Sequence, residues 1–102
     1  GAGTYWYACG DAYEGEWRDG MYHGHGKYTG SEVGGGGDSY EGEWREDQPH
    51  GAGRYLFRSS GAVYDGQWRE GAYHGKGTYT KGDGTATEGM WRDGLLIPLW
   101  QR

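Results

Sequence analysis

The sequence predicts an all-β protein, an elongated single-sheet antiparallel solenoid of stacked β-hairpins. Three observations carry this prediction. A pattern recurs in register, as "YEGEWRDGMYHGHGKY" from Tyr13, "YEGEWREDQPHGAGRY" from Tyr40 and "YDGQWREGAYHGKGTY" from Tyr64. Each half of the pattern alternates with period two, as a half-buried strand does. Hydrophobic residues make up only 33% of the 102 positions, so an aliphatic core is out of reach, and ten Tyr and six Trp must supply the buried area.

The elements follow from the repeat in chain order. Residues 1–12 read as the second half of a preceding repeat, because "GAGTY" aligns with "GAGRY" at 51–55, so that Gly1, Gly3 and Tyr5 match Gly51, Gly53 and Tyr55. Complete repeats follow at 13–39, 40–63 and 64–86, and a degenerate copy with a cap fills 87–102. The starts are 27, 24 and 23 residues apart, yet the Tyr-to-His spacing is ten in each complete copy. All length variation therefore falls between repeats, and the Gly-rich stretch 30–39 is an enlarged loop. The mid-repeat start is expected to leave an open strand edge, a site for association.

Within a repeat, Tyr13, Gly15 and Trp17 share one face and Glu14 and Glu16 the other. In the second half Gly24, Gly26 and Tyr28 oppose His25 and Lys27. Gly20, Gly71 and Gly94 stand where a turn needs positive φ, with Asp47 as the one replacement. One repeat is thus one hairpin. A register with Trp17 facing Gly24 sets Gly15 against Gly26 and Tyr13 against Tyr28, which lets rings lie over backbone that carries no Cβ. It also pairs Glu14 with Lys27 and Glu41 with Arg54. A lone hairpin is marginal in water, so the repeats are expected to stack into a rod roughly 35 to 45 Å long at about 4.8 Å per strand.

Composition excludes several classes. The formal net charge of −5 argues against nucleic-acid binding and against a polybasic membrane contact. Cys9 is the single cysteine, which leaves no internal disulfide or cysteine metal site and points to a reducing, cytoplasmic setting. No apolar run approaches membrane-spanning length, and no signal peptide is visible.

The histidines are the most tempting chemical signal. His23, His50 and His74 occupy one repeat position, but stacked hairpins would hold them about 9 to 10 Å apart, too far to share a zinc ion. Only His23 and His25 could cooperate, and capping of the turn is the preferred reading. The carboxylate pairs Glu14 with Glu16 and Glu41 with Glu43 lose one member to Gln67 and Met90 later, so they read as a solvated polar face. Ser31, Ser39, Ser59 and Ser60 lie in loops with no His at a fixed relation, so a hydrolase triad has no support. "GAG", "GHG" and "GKG" lie inside strands and lead into no helix, unlike phosphate loops. The reading is of a non-enzyme with no cofactor or metal.

The three patterns resemble the membrane occupation and recognition nexus (MORN) repeat, and the resemblance covers nearly the whole chain, from Gly1 as a half repeat to about Gly94. It implies a β-sheet solenoid of hairpins that serves as a non-catalytic module in ciliary and cytoskeletal assemblies, at membrane junctions, or appended to enzymes. Two departures stand out. Asp47 and Pro49 are expected to alter one turn, and the fourth copy carries Ile97 and Pro98 at the positions of His and Gly, so "LLIPLWQR" reads as a cap.

Two surfaces are candidates for binding. The aromatic face carries Trp17, Trp44, Trp68 and Trp91 in one row and Tyr5, Tyr28, Tyr55 and Tyr79 in another, with Tyr13, Tyr40 and Tyr64 between. Such rings are common interface anchors, and the face is expected to take a protein partner, an extended peptide or helix, or a second copy. The alternative is a phosphoinositide-binding row of Arg18, Arg45, Arg69 and Arg92. Each of these is followed by an acid, which makes the row nearly neutral over a Debye length of about 8 Å. The expected role is a scaffold in the cytoskeleton or ciliary axoneme.

Overall fold

The computed structural model describes residues 2–8, 10–30 and 37–98. These form one open antiparallel sheet whose strands lie in sequence order: β1 (Ala2–Trp6), β2 (Ala12–Arg18), β3 (Met21–Thr29), β4 (Ser39–Arg45), β5 (Gln48–Phe57), β6 (Ala62–Arg69), β7 (Ala72–Thr80), β8 (Ala86–Arg92) and β9 (Leu95–Leu96). β1 is the half repeat, and four hairpins follow it. The extents are 44 × 29 × 15 Å, a rod one sheet thick and of the expected length. Cys9, Gly1, the stretch 31–36 and the last four residues of the cap lie outside the described residues.

Each hairpin closes through a two-residue turn with both central residues at positive φ, Asp19 (51°) with Gly20 (76°) and Glu46 (50°) with Asp47 (67°) among them. This is the type I′ geometry, whose twist matches that of the flanking strands. Asp47 and Pro49 therefore do not alter the second turn: Asp47 takes the left-handed conformation of Gly20, and Pro49 stands inside β5 opposite Trp44. Asp47 also ties two hairpins together. Its carboxylate accepts the Tyr22 amide proton at 2.7 Å, while its own amide donates to the Tyr22 carbonyl at 3.2 Å. Gly71 and Gly94 donate in the same way to the carbonyls of Pro49 and Tyr73.

The expected register holds at Tyr13 with Tyr28, Glu14 with Lys27, Gly15 with Gly26 and Glu41 with Arg54. It fails at Trp17, which faces Tyr22 instead of Gly24. A bulge intervenes, so that His23, Gly24 and His25 stand against Glu16 alone. Gly24 makes this possible at φ 65°, and it faces a tryptophan after all, Trp44 of the next hairpin. Gly51 and Gly75 repeat the arrangement at φ 88° and 74°. The bulge frees an amide from the ladder, and a carboxylate catches it: His25 donates to Glu16 Oε2 at 2.6 Å, and Ala52 to Glu43 Oε2 at 2.6 Å. Glu16 and Glu43 are thus backbone ligands, not members of a merely solvated face.

The ring-bearing face packs on itself. Trp17, Tyr13, Trp44, Tyr40, Trp68, Tyr64 and Trp91 form one column of edge-on contacts with centroids 4.8 to 5.6 Å apart. Edge-to-face pairs of this kind contribute about 0.5 to 1.5 kcal/mol each beyond simple burial. Tyr13 and Tyr64 have no exposed surface and Tyr40 has 2%. Their hydroxyls donate to the carbonyls of Glu16, Gln67 and Glu43 at 2.9, 3.0 and 2.9 Å. Each phenol lies over a glycine of the second strand, Gly26, Gly77 or Gly53, where a Cβ would overlap the hydroxyl oxygen. Glycine is therefore required at these positions for space, not for backbone conformation.

Candidate functional site

Much of the expected binding face is interior. Trp44, Trp68 and Trp91 are buried with the three phenols, and each indole donates to a carbonyl of the preceding hairpin. Trp44 bonds Gly26, Trp68 bonds Gly53 and Trp91 bonds Gly77, at 2.9, 3.0 and 3.0 Å, while half-buried Trp17 reaches Gly3 of β1 at 3.3 Å. These tryptophans hold neighbouring hairpins together and present little surface to a partner.

The outer tyrosine row stays accessible. Tyr28, Tyr55 and Tyr79 are half-buried and Tyr5 is exposed, so these four of the eleven expected residues, with Trp17, remain available for contact. Two rings not anticipated from the repeat extend the row. Tyr7 touches Tyr5 and Tyr28 at centroid distances of 4.6 and 6.1 Å, and Phe57 touches Tyr55 and Tyr79 at 4.5 and 6.1 Å. Both stand two residues after a row tyrosine, and that offset is the signal by which they could have been found.

Two carboxylates join the row. The Tyr28 hydroxyl donates to Asp11 Oδ2, and the Tyr55 hydroxyl donates to Asp38 Oδ2 at 3.0 Å. Burial pushes the Tyr55 phenol up to about 12, with the Asp38 hydrogen bond and charge adding to it. Burial likewise raises Tyr13, Tyr64 and Tyr73 to about 12, and Tyr40 further. Every one of these phenols is a proton donor at neutral pH.

The second candidate surface lies along the turn edge. Arg18, Arg45 and His23 line a hollow of about 250 Å³, in company with Asp19 and Glu46. Arg18 Nε stands 4.0 Å from Asp19 Oδ2, with both side chains mostly exposed. His23, His50 and His74 lie inside β3, β5 and β7, and at three of the turns the second residue, Asp47, Gly71 or Gly94, bonds to the preceding hairpin. His74 Nδ1 is buried with no hydrogen-bond partner. Among the described residues, no three His, Cys, Asp or Glu side chains converge as a metal site.

A single open sheet of stacked hairpins, stapled by tryptophan and turn amides to the hairpin before, defines a β-hairpin repeat module. The MORN repeat model matches at residues 13–32, 40–62 and 64–86, more than half of the chain, which therefore belongs to the MORN repeat family. No curated protein matches the chain. The family is a non-catalytic repeat module that generally mediates protein or membrane interaction.

Proposed function

We propose that this chain is a non-enzymatic scaffold that binds a partner polypeptide along its outer tyrosine row, within a larger cytoskeletal or ciliary assembly in the cytoplasm. The carrying observation is a row of accessible rings, Tyr5, Tyr28, Tyr55, Phe57 and Tyr79, beside a buried column of Tyr13, Tyr40, Trp44, Tyr64, Trp68 and Trp91 that is committed to the sheet's own packing. Rigid, amphipathic rings lose little conformational freedom on contact and are frequent hot-spot residues. The cytoskeletal or ciliary setting rests on family resemblance.

A photo-crosslinking residue placed at Phe57 or Tyr79 tests the reading. Partner capture there, with little capture from Met90 on the opposite face, is the expected result. Equal yields from both faces, or none from either, would refute it.

Phosphoinositide binding at the turn edge is the second reading, favoured by the hollow that Arg18, Arg45 and His23 share. Asp19 and Glu46 in the same hollow offset its charge. Liposomes containing phosphoinositide should then bind at low salt and be lost on replacing Arg18 and Arg45. No low-salt binding removes this reading.

A further inference from the structure

The outer row has one place where the repeat departs from its own pattern twice. Where Tyr22 stacks on Tyr13 and Tyr73 on Tyr64, each pair 3.8 Å apart and nearly parallel, the second hairpin has Pro49, which lines a hollow together with Tyr40. Where Tyr7 and Phe57 follow a row tyrosine by two residues, the first hairpin has Gly30 after Tyr28. Both departures line one hollow of about 270 Å³ between Tyr28 and Tyr55, floored by Tyr40 and Trp44.

The acids of the row converge there as well. Asp11 and Asp38 both line the hollow, whereas the matching positions of the third and fourth hairpins are Ala62 and Thr85. Among the described residues, the lining contains two carboxylates and no cationic side chain. Arg58 touches this region from the loop side, its amide donating to Asp38 Oδ1 at 3.0 Å. The Tyr28 and Tyr55 hydroxyls donate to the same carboxylates, which draws electron density toward the rings and strengthens the negative potential of their faces. An aromatic-walled hollow with carboxylates at its rim is complementary to a desolvated cation.

We infer that the hollow between Tyr28 and Tyr55 receives an arginine or lysine side chain of the partner polypeptide. The inference rests on the protein-binding reading and names the anchor that reading lacks. The absent rings at Gly30 and Pro49 supply the space, Tyr28 and Tyr55 supply the accessible faces over a floor that includes Trp44, and Asp11 and Asp38 supply the charge. Chain stem and head group are both accommodated, the former against the rings and the latter toward the carboxylates. The third hairpin has Tyr73 in place of the proline and no acid, so its neighbouring hollow beside Tyr55 and Trp68 is an apolar continuation of the groove.

The test titrates the whole chain with a short soluble peptide that bears one arginine between two leucines, and with the same peptide carrying norleucine for arginine. Binding is read from the Trp44 indole proton resonance. The arginine peptide should bind about tenfold more tightly than the norleucine peptide, in line with a desolvated cation over aromatic faces. Pro49→Tyr should abolish that preference while the sheet stays folded, because it restores the stack present in the first and third hairpins. The double variant Asp11→Asn, Asp38→Asn should reduce the preference as well. Equal binding of both peptides overturns the cation site and leaves the protein-binding reading standing. Absence of saturable binding by the arginine peptide, an unchanged preference in Pro49→Tyr, or a concentration-dependent dimer that Pro49→Tyr disperses would each overturn it too.

Discussion

Alanine at Gly53 and at Gly3 makes the same chemical change at the same place in the repeat, and the structure predicts opposite outcomes. A Cβ on Gly53 would overlap the Tyr40 hydroxyl, whereas a Cβ on Gly3 has nothing within 4 Å. Neither glycine has positive φ, so no backbone strain confuses the comparison. In Gly53→Ala the phenol must leave its seat. It loses its 2.9 Å bond to the Glu43 carbonyl, worth about 1 kcal/mol net, and overpacking costs about 1 to 3 kcal/mol more. Replacing a strand glycine by alanine returns roughly 0.5 to 1 kcal/mol through the unfolded chain. Gly53→Ala should therefore be destabilised by about 1 to 3 kcal/mol, and Gly3→Ala should be neutral or stabilised by up to about 1 kcal/mol. Urea unfolding followed by tryptophan fluorescence measures both. If the two variants agree within about 0.5 kcal/mol, the phenol-on-glycine account of the repeat is wrong, since that is the margin within which independent surface changes fall.

Two further outcomes are expected. Trp44→Phe removes a buried indole donor and orphans the Gly26 carbonyl, which should cost about 1 to 3 kcal/mol; Trp17→Phe removes a longer, exposed bond to Gly3 and should cost clearly less, so equal losses in urea unfolding would discredit the staple. Tyr13, Tyr55, Tyr64 and Tyr73 titrate near 12 when folded, against about 10 for an unfolded tyrosine; their contribution to stability is complete below pH 10 and is lost as pH rises toward 12, because the unfolded chain releases protons first. Tyrosinate absorbance that reaches its value for all ten tyrosines while the sheet signal is still intact would contradict that order.

Much of the fold was legible because the repeat supplies its own alignment. Constant spacing placed the turns at Gly20, Gly71 and Gly94, and strict alternation placed Tyr13 against Tyr28 and Gly15 against Gly26. Alternation also concealed the bulge, since a period of two carried unbroken through "HGHG" has no room for residues that leave the ladder. The recurrent Gly24, Gly51 and Gly75 marked the place, but space for a ring explained them as well as positive φ did. The site was less legible for a related reason. Its hollow is made by residues missing from a pattern, Gly30 and Pro49, and a missing ring shows only when the contacts of its counterparts Tyr22, Tyr73, Tyr7 and Phe57 are known. Burial of Trp44 and Tyr40 likewise depended on the edge-on column, which needs three dimensions to appear.

The indole and turn-amide ties between hairpins share one direction, and the Tyr22 amide bonded to the Asp47 carboxylate runs against it. Trp44, Trp68 and Trp91 supply the proton to a hairpin that precedes them in the chain, as do the amides of Asp47, Gly71 and Gly94. A polypeptide leaves the ribosome from its N-terminal end, so each emerging indole and turn amide meets an acceptor that has already been made. Closure over short loops keeps that sequence of events local. These ties suit a stack that grows in the order in which it is translated.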